Sequence, residues 1–257
     1  MEKIREDLGE FQNILWAHIK YSVLICLQGM DTSGKDILIS EVFKDCNVNG
    51  VEVHSFKVPT DLERAHDYIW RHYIDLPPKG KFGVFNRTHY ENVLVTRVHP
   101  EYILSEDIPG VEEVSQIDQA FWDMRFEQIN NFERHLAQNG TLIFKFYLHL
   151  SKEEQKQRLL RRLRLEQKHW KFSPGDLKER KLWDRYIACY EEAIARTTHP
   201  HAPWYVIPAD NKRAARAIVA SILLQELQKY KGIREPELDE EIRANIKEYK
   251  RQLEEEN

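Results

Sequence analysis

The chain has 257 residues, with 38 Lys and Arg against 42 Asp and Glu and a formal charge of −4. That length suits one large α/β domain, or a core with one insertion, and it buries a sizeable core; the acidic balance excludes a protein that coats nucleic acid. Cys26, Cys46 and Cys189 lie far apart and make neither a disulfide frame nor a zinc site, and no run reaches the ~18 apolar residues of a spanning helix.

In chain order, the charged opening Met1-Glu2-Lys3-Ile4-Arg5-Glu6-Asp7 has no apolar stretch behind it, so no secretory signal is read. A cytoplasmic location, with no membrane and no nucleic acid among its partners, is expected. Residues 3–20 repeat apolar positions at a helical interval, from Ile4 through Leu8 and Phe11 to Ile19. The run Tyr21–Leu27 predicts a strand, Ile37–Phe43 a helix, and the alternating Val51–Phe56 a second strand. Thr60 is placed to cap a helix through Leu62, Ala65, Ile69 and Tyr73, which Pro77-Pro78 stops. Phe82–Phe85 reads as a third strand, Asn86 to Val98 as a helix, and 117–138 as a long amphipathic helix closed by Asn139-Gly140. Thr141–Leu148 and Trp204–Ile207 supply strands four and five, and a helix is expected from about Asn211 to Tyr230. Strands alternating with helices imply a mostly parallel sheet covered on both faces.

Between the first strand and its helix stands Gly29-Met30-Asp31-Thr32-Ser33-Gly34-Lys35-Asp36. Strand, glycine loop and helix are the context in which a G-x-x-x-x-G-K match carries meaning. Gly29 and Gly34 let successive N–H groups turn inward around Thr32 and Ser33. The helix N-terminus adds partial positive charge and Lys35 a full one, which together suit a phosphate chain. Asp36 stands where such loops usually carry a hydroxyl for Mg²⁺, and a carboxylate, Asp31, lies inside the loop instead. A carboxylate facing phosphates repels them unless a hard cation lies between, so Asp31 reads as metal-binding or proton-accepting, against the alternative of a turn residue.

From Lys152 to Arg185 there are twelve Lys and Arg against six acidic residues. Arg158, Arg161 and Arg162 share one helical flank, and Ser173-Pro174-Gly175-Asp176 divides the segment into two helices. Two basic helices inserted beside a phosphate site predict a lid over 152–198; the alternative is a solvated charged face. A second cluster, Phe85-Asn86-Arg87-Thr88-His89-Tyr90-Glu91, begins where the third strand ends, the edge at which α/β sheets bind ligands. Arg87 there suits a bidentate clamp on an anionic oxygen, or a plain i, i+4 pair with Glu91. Lys57, Asp67 and Arg71 either hold a nucleotide or bridge to one another.

Together with Ser55-Phe56-Lys57-Val58-Pro59-Thr60, Lys168-His169-Trp170-Lys171-Phe172 and Ala202–Ala209, these blocks resemble the second family of polyphosphate kinases, in order, over about residues 10–230. The resemblance implies a P-loop kinase-like three-layer α/β sandwich: a five-stranded mostly parallel sheet, helices on both faces and an inserted helical lid. It implies a phosphotransferase that moves phosphoryl groups between inorganic polyphosphate and AMP or ADP with Mg²⁺, Mn²⁺ being possible. Asp31 and Lys35 then belong to the Walker A site, with Asp31 the metal residue, and Arg87 to the Walker B region. Lys57, Asp67, Arg71, Asn86 and Glu91 fall to the nucleotide, and Arg158, Arg162, Lys168, Lys171 and Arg180 to a polyphosphate track. Asn86 and Glu91 depart from the Phe-Asp-Arg and Trp-Tyr-Asn of the best-known branches, and this version looks like the branch that accepts both nucleoside mono- and diphosphates. The rivals are an ATP-dependent nucleoside or nucleotide kinase and a non-catalytic sensor. Finally, Leu238, Ile242, Ile246, Tyr249 and Leu253 make a narrow apolar seam over 236–257, expected to dock on the core or to join subunits of a homodimer or homotetramer.

Overall fold

Every residue of Ser22–Gln28 is buried, as happens to a strand at the centre of a sheet with both faces covered. The computed structural model describes residues 1–256 and sets that strand in the middle of five. In chain order the elements are α1 (Glu2–His18), β1 (Ser22–Gln28), α2 (Lys35–Val42), β2 (Val51–Ser55), α3 (Asp61–Arg64), α4 (Trp70–Tyr73), β3 (Phe82–Asn86), α5 (Glu91–Val98), α6 (Gln119–Gln138) and β4 (Thr141–His149). Then come α7 (Lys152–Arg164), α8 (Pro174–Lys181), α9 (Trp183–Thr197), β5 (Trp204–Pro208), α10 (Lys212–Leu227) and α11 (Glu240–Glu255). The strand order is β2-β3-β1-β4-β5 and every pairing is parallel. All five expected strands are present, and the sheet is parallel throughout.

The period of two along β1 sorts its side chains between two layers. Val23, Ile25 and Leu27 pack with Leu8 and Leu15 of α1, Val42 of α2 and Val219 of α10. Leu24 and Cys26 face the other way, onto Phe132 and Leu136 of α6. Beyond them, α5, α6 and α9 share a second cluster that includes Val93, Phe126, Ile129 and Tyr190. Parallel strands require crossovers, and these helices are the crossovers. The strands therefore all end at one edge, where the glycine loop after β1 and the Arg87 turn after β3 meet; in their register Leu27 stands beside Asn86.

Two expected helices are shorter than the pattern suggests. The one through Leu62 to Tyr73 is broken into α3 and α4. Thr60 and Glu63 close a capping box at the first. Asp67 then accepts from the N–H groups of Ile69 and Trp70 and starts a new turn. The helix expected from Asn86 begins only at Glu91, because Arg87 takes a φ of 64°. Two 3₁₀ segments, Pro100–Glu106 and Val114–Gln116, had no clear signal in the apolar pattern.

The stretch read as one lid, 152–198, divides in two. From α7 to α8 it lies beside the glycine loop, whereas α9 buries Trp183, Tyr186, Tyr190 and Ala193 in the second layer. No described residue of α11 is buried; Ile242 is 46% and Leu253 70% exposed, so the seam does not dock on its own core. Ile233, just before it, does belong to the core. Among the described residues no helix is long and apolar enough to cross a membrane. Ending the chain after Glu235 is therefore expected to leave the melting temperature unchanged at low protein concentration. A fall of several degrees in a calorimetric scan would show that α11 stabilises the single chain.

Candidate active site

The loop after β1 turns because three of its residues take left-handed backbone angles: Gly29 at φ 155°, Thr32 at 68° and Gly34 at 101°. A Cβ on Gly29 would stand 2.8 Å from Ser33 Oγ and 3.0 Å from the Leu148 carbonyl, so no larger residue fits there. Thr32 holds its angle at a cost of about 1–3 kcal/mol. Gly34 is the N-cap of α2, whose first residue, Lys35, folds back to donate from Nζ to the Gly29 carbonyl at 2.7 Å. Burial first, and then Arg87 nearby, lower the Lys35 pKa to about 8 against the pull of Asp31. Its ammonium is thus poised for an anion that supplies the missing countercharge.

Arg87 is held between two carboxylates. Its Nη2 lies 3.0 Å from Asp31 Oδ1 and its Nη1 lies 3.0 Å from Glu91 Oε2. Glu91 first, and then Asp31, keep the guanidinium above its already high pKa. The left-handed turn at Arg87 is secured from behind. Its N–H donates to the Leu27 carbonyl at 3.2 Å, and Gln28 Nε2 donates to Thr88 Oγ1 at 3.1 Å. The i, i+4 pair with Glu91 is formed, and the side chain remains 40% exposed while bridging the two acids.

Two cavities open on either side of it. One, of about 330 Å³, is walled by the glycine loop, by cations of the 152–171 stretch and by Lys212. The other, of about 730 Å³, runs from Phe56 and Lys57 along Arg64, Arg71 and His72 to Tyr102 and Glu106. They share Phe56, Lys57 and Arg87. Burial holds the His72 imidazole well below its usual pKa, so it lines the larger cavity uncharged.

The family model described as Polyphosphate kinase 2 matches residues 1–235. This chain belongs to that family. It is 44% identical over 226 residues to an ADP-polyphosphate phosphotransferase of Rhodopseudomonas palustris, covering 88% of this chain and 77% of the relative. It is 45% identical over 225 residues to an AMP/ADP-polyphosphate phosphotransferase of Meiothermus ruber, covering 88% and 79%. A crystal structure of polyphosphate kinase 2 from Arthrobacter aurescens superposes with a TM-score of 0.86 at 38% identity, over 96% of this chain and 84% of that one. The P-loop kinase-like sandwich expected from the sequence is thereby established.

Within this polyphosphate kinase 2 chain, the structure brings Asp31, Thr32, Ser33, Gly34, Lys35 and Asp36 to the smaller cavity, together with Arg87. Asn86 lines it too and does not line the larger cavity; its Nδ2 donates to Asp36 Oδ1 at 2.6 Å. Lys57 faces both cavities, and Arg71 and Glu91 face the larger. Asp67 lines neither, since its carboxylate is spent capping α4. Arg71 stands 3.1 Å from Glu63, so the Asp67–Arg71 pairing is replaced by another.

The basic residues also divide. Lys168 and Lys171 line the smaller cavity. Arg162 lines it as well while donating to the Lys171 carbonyl and to Asp176, thereby holding the α7–α8 connection. Arg180 does not line it; its guanidinium donates to the Lys152 carbonyl and to Gln155. Arg158 is only 7% exposed. It donates to the carbonyls of Thr32, Ser33, Ala209 and Asp210 at 2.6–3.0 Å, and its Nε to Glu154 at 2.7 Å. Arg158 lines the smaller cavity while its buried guanidinium staples α7 to the glycine loop and the end of β5. Gln155 adds a bond of 3.1 Å to the Asp31 carbonyl. Arg161, which shares the helical flank of Arg158 and Arg162 without a place in the expected track, reaches the cavity, and so does Lys212, which no motif marked. Lys212 follows the Asn211 cap at the end of β5, the strand edge where a ligand is expected.

A divalent cation goes with the phosphotransferase chemistry of this family. Among the described residues no three acidic, His or Cys side chains gather into a cage. Asp31 nonetheless presents a carboxylate in the smaller cavity with Oδ1 on Arg87 and 32% of its side chain exposed. A cation that keeps most of its waters and takes its other ligands from substrate phosphates needs only one or two carboxylates, so the residues fit.

The staple is open to test by denaturant unfolding. Arg158→Met removes the donor from four carbonyls, those of Ser33 and Ala209 in buried bonds, and is expected to cost about 3 kcal/mol. Arg161→Ala, three residues on and exposed, is expected to change stability by about 0.5 kcal/mol or less. Equal costs for the two would mean that Arg158 is not the buried clamp described.

Proposed function

We propose that the chain transfers the terminal phosphoryl group of inorganic polyphosphate to AMP or ADP by direct in-line displacement. The single observation that carries this is Arg87 standing in the common wall of two cavities, one cationic and one of nucleotide size. The names of the relatives from R. palustris and M. ruber agree with it. In this reading polyphosphate lies along the glycine loop, Arg161, Lys168, Lys171 and Lys212, while the nucleotide occupies the cavity of Arg64, Arg71 and Tyr102. The terminal phosphorus then faces an acceptor oxygen across Arg87.

Phosphoryl transfer asks little covalent chemistry of a protein; positioning and charge neutralisation carry most of it. Lys35 and the loop N–H groups hold the equatorial oxygens of the transferring group. Arg87, kept rigid by Asp31 and Glu91, reaches the same oxygens from the acceptor side. Asp31 is the residue that would hold Mg²⁺, with Mn²⁺ as a substitute, and the ion when bound neutralises charge between donor and acceptor phosphates. Asp36, fixed by Asn86, is a second acid at the cavity wall.

Three outcomes are expected. Asp31→Asn keeps size and hydrogen bonding but removes the charge, and should lower kcat on the order of 10²-fold or more with melting unchanged; a wild-type rate with wild-type metal dependence would reduce Asp31 to a turn residue. The second concerns pH. Lys35 titrates near pH 8 in the free enzyme, below its ordinary value, so its charge is full at lower pH and lost above. Accordingly kcat/KM should fall as pH rises past about 8. The limb in kcat should lie higher, because bound phosphate favours the ammonium. A kcat/KM profile flat to pH 10 would count against a free-enzyme role for that charge.

Third, Arg161→Ala, Lys168→Ala or Lys171→Ala should raise KM for long polyphosphate more than for very short chains, with each loss near 1 kcal/mol or less and smaller in high salt. Equal losses at every chain length would make these residues a gate and not a track. A wild type that prefers ATP to every polyphosphate would refute the donor assignment.

A further inference from the structure

Behind the Arg87 turn lies a set of charged and polar groups that lines neither cavity. Lys145 of β4, Glu133 of α6, and His89 and Tyr90 of the turn are all 0% exposed. Lys145 Nζ donates to Glu133 Oε2 at 2.6 Å, to Tyr90 Oη at 2.8 Å and to the Thr197 carbonyl at 2.8 Å. Tyr90 Oη in turn donates to Glu133 Oε1 at 2.7 Å, and His89 Nε2 lies 3.1 Å from the same oxygen. Trp204 closes the cluster, its ring against Tyr90 and its Nε1 donating to Thr197 Oγ1 at 2.9 Å. Burial alone would raise the Glu133 pKa, but Lys145 and then His89 hold it below the ordinary value. One buried ion pair thus joins four elements: the turn that carries Arg87, α6, β4 and the last residue of α9.

Such a pair is a poor way to add stability, since apolar residues of the same volume often serve as well or better; its attested use is to fix one arrangement among several. The arrangement here is specific. His89 and Tyr90 stand two and three residues from Arg87, whose left-handed backbone has little reason to persist unless its surroundings hold it. Thr197 ends the helix by which the 152–197 segment returns to the sheet. We infer that Glu133, Lys145 and Tyr90 are positioning residues for phosphoryl transfer: they lock the Arg87 turn in register with the base of α9, so that the guanidinium sits between the two cavities. This rests on the role given to Arg87 above.

The test compares Glu133→Gln and Tyr90→Phe in the wild type and in Arg87→Ala, with folding verified by melting well above the assay temperature. Tyr90→Phe leaves the Lys145–Glu133 bond in place, and so serves if the glutamine variant fails to fold. In the wild-type background kcat is expected to fall about 10-fold or more, as for a catalytic group displaced by a fraction of an ångström to an ångström. The KM for long polyphosphate, set by distant cations, is expected to change little. In Arg87→Ala the same substitutions should bring no further loss, because the residue they position is gone. Equal losses in both backgrounds, or no loss in the wild type, would overturn the inference and leave the proposed function intact. A wild-type kcat for Arg87→Ala itself would overturn the catalytic role of Arg87, and this inference with it.

Discussion

An arginine held between two acids is the constraint on which this site depends. Arg87 reaches both Asp31 and Glu91 from a left-handed turn, with α5 beginning only at Glu91. That turn is supported on one side by the β1 backbone and Gln28, and on the other by the buried Lys145–Glu133 pair. The result is a guanidinium that neither cavity can take wholly for itself. A flexible lysine in the same place would be a point charge without the fork that bridges two carboxylates.

The electrostatics of the molecule follow from the same edge of the sheet. The chain is acidic overall, yet the smaller cavity collects cations from α7, the 3₁₀ segment after it and α10. Lowered pKa values at Lys35 and Lys212 show that these cations are crowded and partly dehydrated. Burial dominates at both lysines, and neighbouring arginines add to it. Repulsion among unpaired cations is a strain that a polyanion relieves, so binding and charge relief are one event. Arg158 belongs to this set and helps to lower the Lys212 pKa, while its guanidinium donates to backbone carbonyls and joins α7 to the floor of the loop.

Much of this was legible in the residues. The central strands announced themselves because a parallel sheet buried on both faces leaves continuous apolar runs, β2 by the alternation of a half-exposed edge strand, and the glycine loop because its spacing lies between a strand and a helix. The broken helix at Asp67 was hidden, since apolar periodicity cannot tell a carboxylate that caps from one that faces solvent. Helical spacing grouped Arg158 with Arg161 and Arg162 but could not say which pointed down into the loop. Lys145 was the clearest missed signal: a lone lysine inside Thr141-Leu142-Ile143-Phe144-Lys145-Phe146-Tyr147-Leu148 must find a buried countercharge. That its partner was Glu133, on the preceding helix, only the packing reveals.

The central claim is direct transfer across Arg87 between two ligands bound together. Initial rates measured over a grid of polyphosphate and ADP concentrations test it most directly. Simultaneous occupancy of the two cavities predicts double-reciprocal lines that intersect, and no labelled protein when radioactive polyphosphate is supplied without nucleotide. Parallel lines, with a phosphorylated enzyme that passes its label to ADP, would contradict the account.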